Sequence, residues 1–400
     1  MDIINIYENF NSYFSSEFKE IFKLCSNVGY KQGYKLYLIG GLVRDMLLNK
    51  ESLDIDITVE GDAIEFAYIL ERESNAKISS IHKDFGTVKV KLNGMDIDLA
   101  STRSEIYPKK GHLPKVSEIG CSLEKDVLRR DFTINSLAMS LNKDNFADLI
   151  DFVNGFEDLK AKKIKILHNR SFIDDPTRII RALRYSSRFG FKLDEKTLSL
   201  QQEYLNNVDY DMCNKRLKQE FKKTFDSSKS ETFERFIQNN IYKLFTQRIL
   251  TVPLVDFNLL FETYRPKNIW FVYFGFVILE EDINLLELTN QESKILSSAK
   301  ELLATTYFDD FELYKAFENQ KTETLLILAL YDRLQDVLHY LEELKKISLN
   351  ITGKDILELG FLPSPLFKKG LDYVLKQKLK TPALCKKDEL SIVKLYLENH

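Results

Sequence analysis

Apolar positions follow two regimes along the chain. Between about residues 30 and 155 they alternate or come in short runs, and beyond Asp174 they recur every three to four residues to the end. In the first regime Lys35–Ile39 (KLYLI) is an apolar run of strand length that stops at Gly40-Gly41. Residues 43–49 begin a helix, and 53–59 alternate as a strand. Ala63–Glu73 has helical spacing; 76–80, 86–92 and 95–100 then read as further strands. Residues 1–30 carry the spacing of one or two amphipathic helices. Strands mixed with helices, then helices alone, predict an α+β domain with a small mixed sheet followed by an all-helical half. The helical half is broken near Thr251-Val252-Pro253, Arg265-Pro266 and Leu362-Pro363-Ser364-Pro365. No internal repeat interrupts either regime.

Composition narrows the class. A chain of 400 residues is too long for one ordinary core, so two to four domains are expected. With 44% apolar and 29% charged residues it has the make-up of a folded soluble protein. No apolar run approaches the roughly 18 residues of a membrane span. The first residues lack the basic start and apolar stretch of a secretory signal. Cys25, Cys121, Cys213 and Cys385 are scattered without a C-x-x-C pair, which fits free thiols in the cytoplasm. The net charge of −3 conceals an asymmetry: residues 160–225 hold sixteen Lys/Arg against eight Asp/Glu, and residues 231–340 hold ten against seventeen. The first stretch suits a polyanion and the second repels one, although such blocks are as often solvated helix faces.

Chemistry concentrates at GGLVRDMLLNKESLDIDITVEGD, residues 40–62. Residues two apart on a strand share a face, about 6.6 Å between Cα atoms, so Asp54 and Asp56 lie together while Ile55 and Ile57 enter the core. Adjacent carboxylates repel unless a cation sits between them, and paired divalent metals about 3.5–4 Å apart suit such a site. Asp96-Ile97-Asp98 repeats the pattern, and Asp98 becomes a third ligand if its strand neighbours the first. Glycines after a strand admit phosphates close to the backbone, the helix beginning near Val43 offers free N–H groups, and Arg44 adds a fork-shaped donor. D-x-D alone is weak, and Gly-Gly alone is more often a turn; their joint spacing is selective.

That stretch resembles the signature of the class II tRNA nucleotidyltransferase and bacterial poly(A) polymerase family, within the polymerase-beta-like superfamily. Later segments resemble its other motifs in order: FGTVKV (85–90), DIDLASTRSEIYPKKGHLP (96–114), RRDFTINSLAMSL (129–141), DFVNGFEDLKAKKIK (151–165), DDPTRIIRALRYSSRFGF (174–191), NKRLKQEF (214–221) and ITGKDILELGFLPSP (351–365). Departures are Phe152 for a common proline, Asp174 for a frequent Glu, Lys215 for a usual Glu and Ser364 for a frequent Gly. The resemblance is strong over residues 33–225 and weaker beyond. It implies N-terminal helices (1–32), a catalytic head (33–160), a nucleotide-selecting neck (161–226), a helical body (227–340) and a tRNA-binding tail (341–400). It further implies addition of C and A to the tRNA 3′ end from CTP and ATP, with Mg²⁺ on Asp54, Asp56 and Asp98.

Such enzymes choose bases with side chains instead of a template. Asp175 and Arg178, three apart at a helix start opened by Pro176, form an acceptor beside a donor. Cytosine and adenine present the matching edge; uracil and guanine present its reverse. An ordinary helix-start salt bridge is the alternative. The resemblance makes Gly40, Gly41, Arg44, Arg129, Arg130, Asp131, Asn135, Asp174, Arg181 and Arg184 nucleotide contacts or their supports. It makes the loop 103–117, with Tyr107, Lys109, Lys110 and His112, a mobile element pivoting at Gly111 and Pro114. Arg188, Lys368 and Lys369 are RNA-contact candidates, with Lys376, Lys378 and Lys380 nearby. YRPKNIWFVYFGF (264–276) reads as core, and the five histidines include no His-Asp doublet of a phosphohydrolase domain. The alternatives are an A-only enzyme, a CC-only enzyme, a poly(A) polymerase, a small-molecule nucleotidyltransferase or a silent RNA-binding module. The full loop weighs against CC-only addition. The basic neck and long tail weigh against a small-molecule substrate.

Overall fold

The computed structural model describes residues 4–51, 55–226, 230–282 and 287–400. The chain divides into two compact units, Met1–Glu220 and Phe221–His400.

The first unit opens with β1 (Ile4–Asn5), α1 (Tyr7–Tyr13), α2 (Ser16–Gln32), β2 (Lys35–Ile39), α3 (Gly41–Leu47), β3 (Asp56–Glu60) and α4 (Ala63–Glu73). It continues through β4 (Lys77–His82), β5 (Thr87–Leu92), β6 (Met95–Ser101), β7 (Arg103–Ile106), β8 (Lys115–Ile119), α5 (Leu123–Leu128), β9 (Ala138–Ser140) and β10 (Asp148–Ile150). Eight strands form one sheet in the order β1-β10-β9-β2-β3-β6-β5-β4. It is mixed, because β3 and β6 run parallel while β2 is antiparallel to both β3 and β9.

Side chains on both faces of β2 are buried. Leu36 meets α2 at Gly29, where a Cβ would come within 3.0 Å of the Leu36 side chain. On the alternate positions Tyr37 and Ile39 cluster with Leu123 and Val127 of α5. α4 starts where Asp62 accepts from the Ile64 and Glu65 N–H groups, and it buries Phe66, Ala67 and Leu70.

Three differences from the pattern reading come from strand pairing, in two of them between segments far apart in the chain. The N-terminus is not helical throughout, since Ile4 and Asn5 pair with Leu149 and Asp148. The expected loop 103–117 is a two-stranded ribbon, β7 against β8, with a tip between them. The stretch past Asp174 holds α7 (ending at Asp174, Ser171–Asp174), α8 (Thr177–Phe189), α9 (Glu195–Asn206) and α10 (Asn214–Phe225), yet it also contains β12 (Lys192–Leu193). That strand runs parallel to β11 (Lys163–Ile164), which follows α6 (Gly155–Lys160).

The second unit is helical among its described residues: α11 (Ser230–Gln238), α12 (Phe257–Tyr264), α13 (Ile269–Ile278), α14 (Asn290–Leu303), α15 (Asp310–Phe317), α16 (Thr322–Leu328), α17 (Leu334–Glu342), α18 (Gly353–Glu358), α19 (Leu366–Lys380) and α20 (Lys386–Glu398). Every residue of α13 from Trp270 onward is buried, so the aromatic patch is core, as expected. Phe233 stacks on Tyr273 with ring centroids 4.2 Å apart. Lys378 is buried against Glu389, which also accepts from the Asn350 and Ile351 N–H groups. Its ammonium is therefore turned away from RNA, contrary to expectation, and Lys376 pairs with Asp309 at 2.7 Å. Lys368 and Lys369 stay exposed on α19. No helix among the described residues is long and apolar enough to cross a membrane.

Candidate active site

The register of the sheet gathers the strand-borne carboxylates and the glycine corner. Leu38 pairs with Ile57, so the end of β2, where Gly40 follows, stands beside the start of β3, where Asp56 sits. Asp56 is in turn in register with Asp98 on β6. Their neighbours Ile55, Ile57, Ile97 and Leu99 are buried, and alternation turns both carboxylates to the opposite, accessible face. Lys89 of β5 places its Nζ 3.4 Å from Asp98 Oδ1. Asp54, expected to share the face and the metal with Asp56, lies outside the described residues. Gly40 turns the chain with φ 80, and a Cβ there would meet Arg130 Nη1 at 2.8 Å, so only glycine suits this corner.

Beside the corner opens a cleft of about 410 Å³, lined by Gly41, Arg129, Arg130, Asp131, Asn135, Asp175, Arg178 and Arg181 among others. Six arginines and four carboxylates face it, a balance suited to a polyphosphate. Asp126, at the base of α5, holds Arg129 at 2.7 Å and Arg130 at 2.9 Å. Burial alone would raise the Asp126 pKa, but the Arg130 and Arg129 charges outweigh it and lower it. Asp131 is handled alike: burial is overcome by Arg181, the Asn135 amide and Arg178, holding the carboxyl at about 2. Arg181 reaches Asp131 Oδ2 at 2.6 Å and Glu220 at 3.4 Å.

Asp175 and Arg178 are both buried in the cleft wall. Asp175 precedes α8 in an extended conformation and accepts from the Thr177 N–H at 3.2 Å, so it acts as a cap instead of lying on the helix. Its Oδ2 accepts from Arg216 at 2.7 Å and stands 4.0 Å from Arg178 Nε. Arg178 donates to Ser171 Oγ at 2.6 Å and to the Arg129 carbonyl at 2.9 Å. The wall thus presents one fixed acceptor next to one fixed donor.

Residues 36–165 match the family described as the poly A polymerase head domain. The A-adding tRNA nucleotidyltransferase of Aquifex aeolicus is 33% identical over 347 residues, covering 79% of this chain and 41% of that one. The A-adding enzyme of Halalkalibacterium halodurans is 29% identical over 415 residues, covering 99% and 96%. The chain therefore spans less than half of the Aquifex relative and nearly all of the Halalkalibacterium one. The Thermotoga maritima CCA-adding enzyme complexed with tRNA superposes with TM-score 0.78 at 25% identity, over 99% of this chain and 100% of that one.

Residues 36–165 thus carry a poly A polymerase head domain, and the chain as a whole is similar to A-adding and CCA-adding tRNA nucleotidyltransferases. Nucleotidyltransferases of this kind generally use divalent metal ions, and among the described residues Asp56 and Asp98 are strand carboxylates in register on one accessible face. Not every expected site residue faces the cleft. Arg44 is 3% exposed and spends its fork inside the protein, on Asp45 at 2.7 Å and on the Asn135 side chain, with Phe189 beneath it at 4.7 Å. It supports Asn135 and is not turned toward a phosphate, which corrects the expectation. Asp174 lines a neighbouring cavity of about 440 Å³ and pairs with Arg170 at 3.1 Å. Arg184 is held by Glu220 at 2.7 Å, and Arg188 by Asp45 at 3.1 Å. Sequence reasoning left Glu105, Asp126, Tyr185, Arg216 and Glu220 without a role. Asp126 had a signal, since it stands three and four residues before Arg129 and Arg130 on one helical face. Tyr185 had one too, four residues after Arg181 on α8, whereas Asp175 and Arg216, and Arg129 and Glu105, meet only through pairing between separate segments.

Proposed function

We propose that the protein is a template-independent tRNA nucleotidyltransferase. It adds C and A to the tRNA 3′ end from CTP and ATP and releases pyrophosphate, with Mg²⁺ as its metal. The observation that carries this reading is the register of Asp56 with Asp98 at the same sheet end as the Gly40-Gly41 corner. Mg²⁺ held there by Asp56 and Asp98, with Asp54, would neutralise the triphosphate and favour deprotonation of the terminal 3′-hydroxyl. Arg129, Arg130 and Arg181 present positive charge to the phosphates and ribose, locked in place by Asp126 and Asp131. Asp175 accepts from the exocyclic amino group of cytosine or adenine, and Arg178 donates to the adjacent ring nitrogen. Uracil or guanine would set acceptor against acceptor there. A site built on hydrogen bonds rejects such a mismatch by about 10⁴–10⁵.

A-only addition is the second reading, favoured by the names of the Aquifex and Halalkalibacterium relatives. The test offers tRNA ending before CCA, and tRNA ending in CC, with each labelled nucleotide and MgCl₂. Full CCA addition predicts C incorporation on the first and A on the second. Incorporation of A on the second alone supports the A-only reading. No incorporation and no pyrophosphate release on either contradicts the enzyme assignment.

A further inference from the structure

The short ladder between β11 and β12 sets two lysines face to face. Lys163 pairs with Lys192 and Ile164 with Leu193. Ile164 is fully buried, so alternation turns Lys163 and Lys192 together toward solvent. Lys162, just before the strand, adopts φ 55, and its carbonyl accepts from the Lys192 N–H at 3.1 Å. A left-handed conformation is uncommon for a long side chain. The three lysines border an open cavity of about 600 Å³ together with Gly190, Asp194 and Glu195. Asp194 is engaged as the N-cap of α9, accepting from the Thr197 N–H at 3.0 Å. Glu195 is exposed at the rim. Among the described residues, Lys162, Lys163 and Lys192 make no ion pair.

Like charges directly opposite each other weaken a ladder, and two residues per strand offer little to offset that. An anion between the lysines turns the repulsion into attraction. Because the cavity is open, it admits a chain of phosphates that continues past it, unlike an enclosed pocket for a lone nucleotide. We infer that Lys162, Lys163 and Lys192 hold backbone phosphates of the RNA substrate. The cavity stands at the Gly190 end of α8, and Asp175 precedes its other end; thirteen residues of helix separate them by about 20 Å. The contacts therefore fall several nucleotides back from the reacting terminus. Phosphate contacts position RNA without reading its sequence.

This inference rests on the reading of the chain as a tRNA enzyme, and one set of measurements separates the two. tRNA affinity is measured at several KCl concentrations for the wild-type protein, K163Q/K192Q and K163R/K192R, alongside ATP affinity and melting temperature. K163Q/K192Q is expected to bind tRNA about tenfold more weakly, with a salt slope reduced by about 1–2. Its ATP affinity should be unchanged and its melting temperature raised, because the repulsion is gone. K163R/K192R should bind tRNA as the wild type does. An unchanged tRNA affinity and slope in K163Q/K192Q, while the wild type extends tRNA, overturns the inference alone. Weaker binding that accompanies a lower melting temperature, without rescue in K163R/K192R, also overturns it, since the lysines would then be structural. A wild-type protein that neither binds nor extends tRNA overturns the functional reading and the inference with it. Binding lost equally to inorganic phosphate and to tRNA competitor assigns the site to free anions and contradicts an RNA-specific role.

Discussion

Asp131 sits between Arg181 and Asn135, donates nothing and accepts from both, and keeps its carboxyl ionised down to about pH 2. The folded value lies below the ordinary 3.8, so its contribution to stability is complete above about pH 4 and disappears as the pH falls toward 2. A shift of that size corresponds to about 2 kcal/mol. Asp131→Asn is therefore expected to lower the melting temperature at neutral pH. It should also flatten the fall between pH 4 and 2, as thermal melts across that range would record. At this scale the sequence was partly legible. The alternation of Ile55, Asp56 and Ile57 gives the side each residue faces without any tertiary knowledge. Arg44 was misjudged because its neighbours in space, Asn135 and Phe189, are 91 and 145 residues away in the chain.

The β7–β8 ribbon shows what a local pattern conceals at the scale of an element. Its tip is tied to the segment before α10: Lys109 and His112 meet Asp211 at 2.7 and 3.1 Å, and the Cys213 N–H donates to the Gly111 carbonyl at 3.0 Å. A Cβ at Gly111 would approach Met212 Cβ to 2.9 Å, so the tip lies directly on that segment. Tyr107, at the base of the tip, borders the cleft and stands 3.3 Å from Arg178. Exposed ion pairs of this kind are weak and easily exchanged with water. Asp211→Asn is expected to speed amide hydrogen exchange at Gly111 and Cys213 while leaving the middle of α8 protected. The strands of the ribbon escaped pattern reading because Arg103, Ser104 and Glu105 lack apolar alternation and gain their order only from pairing with β8. By contrast 63–73, 87–92 and 95–101 carry complete periods, and the structure has elements there.

Across the whole molecule, the change of apolar period near Asp174 marked the passage from sheet to helices, and the described part of Phe221–His400 is helical as that period requires. The small β11–β12 ladder crossed that boundary unseen, since two residues per strand leave no period to detect. At this scale the proposed function is a chemical division of labour. In it, carboxylates on β3 and β6 serve the transfer, while the cleft beside the glycine corner holds and chooses the nucleotide. The most direct test compares the wild-type protein with Asp56→Asn and Asp98→Asn, measuring ATP affinity and the rate of ATP-dependent extension of tRNA ending in CC. Extension is expected to fall by at least about a thousandfold in both variants, with the fold unchanged and ATP still bound in the cleft. Extension at the wild-type rate in either variant would contradict it.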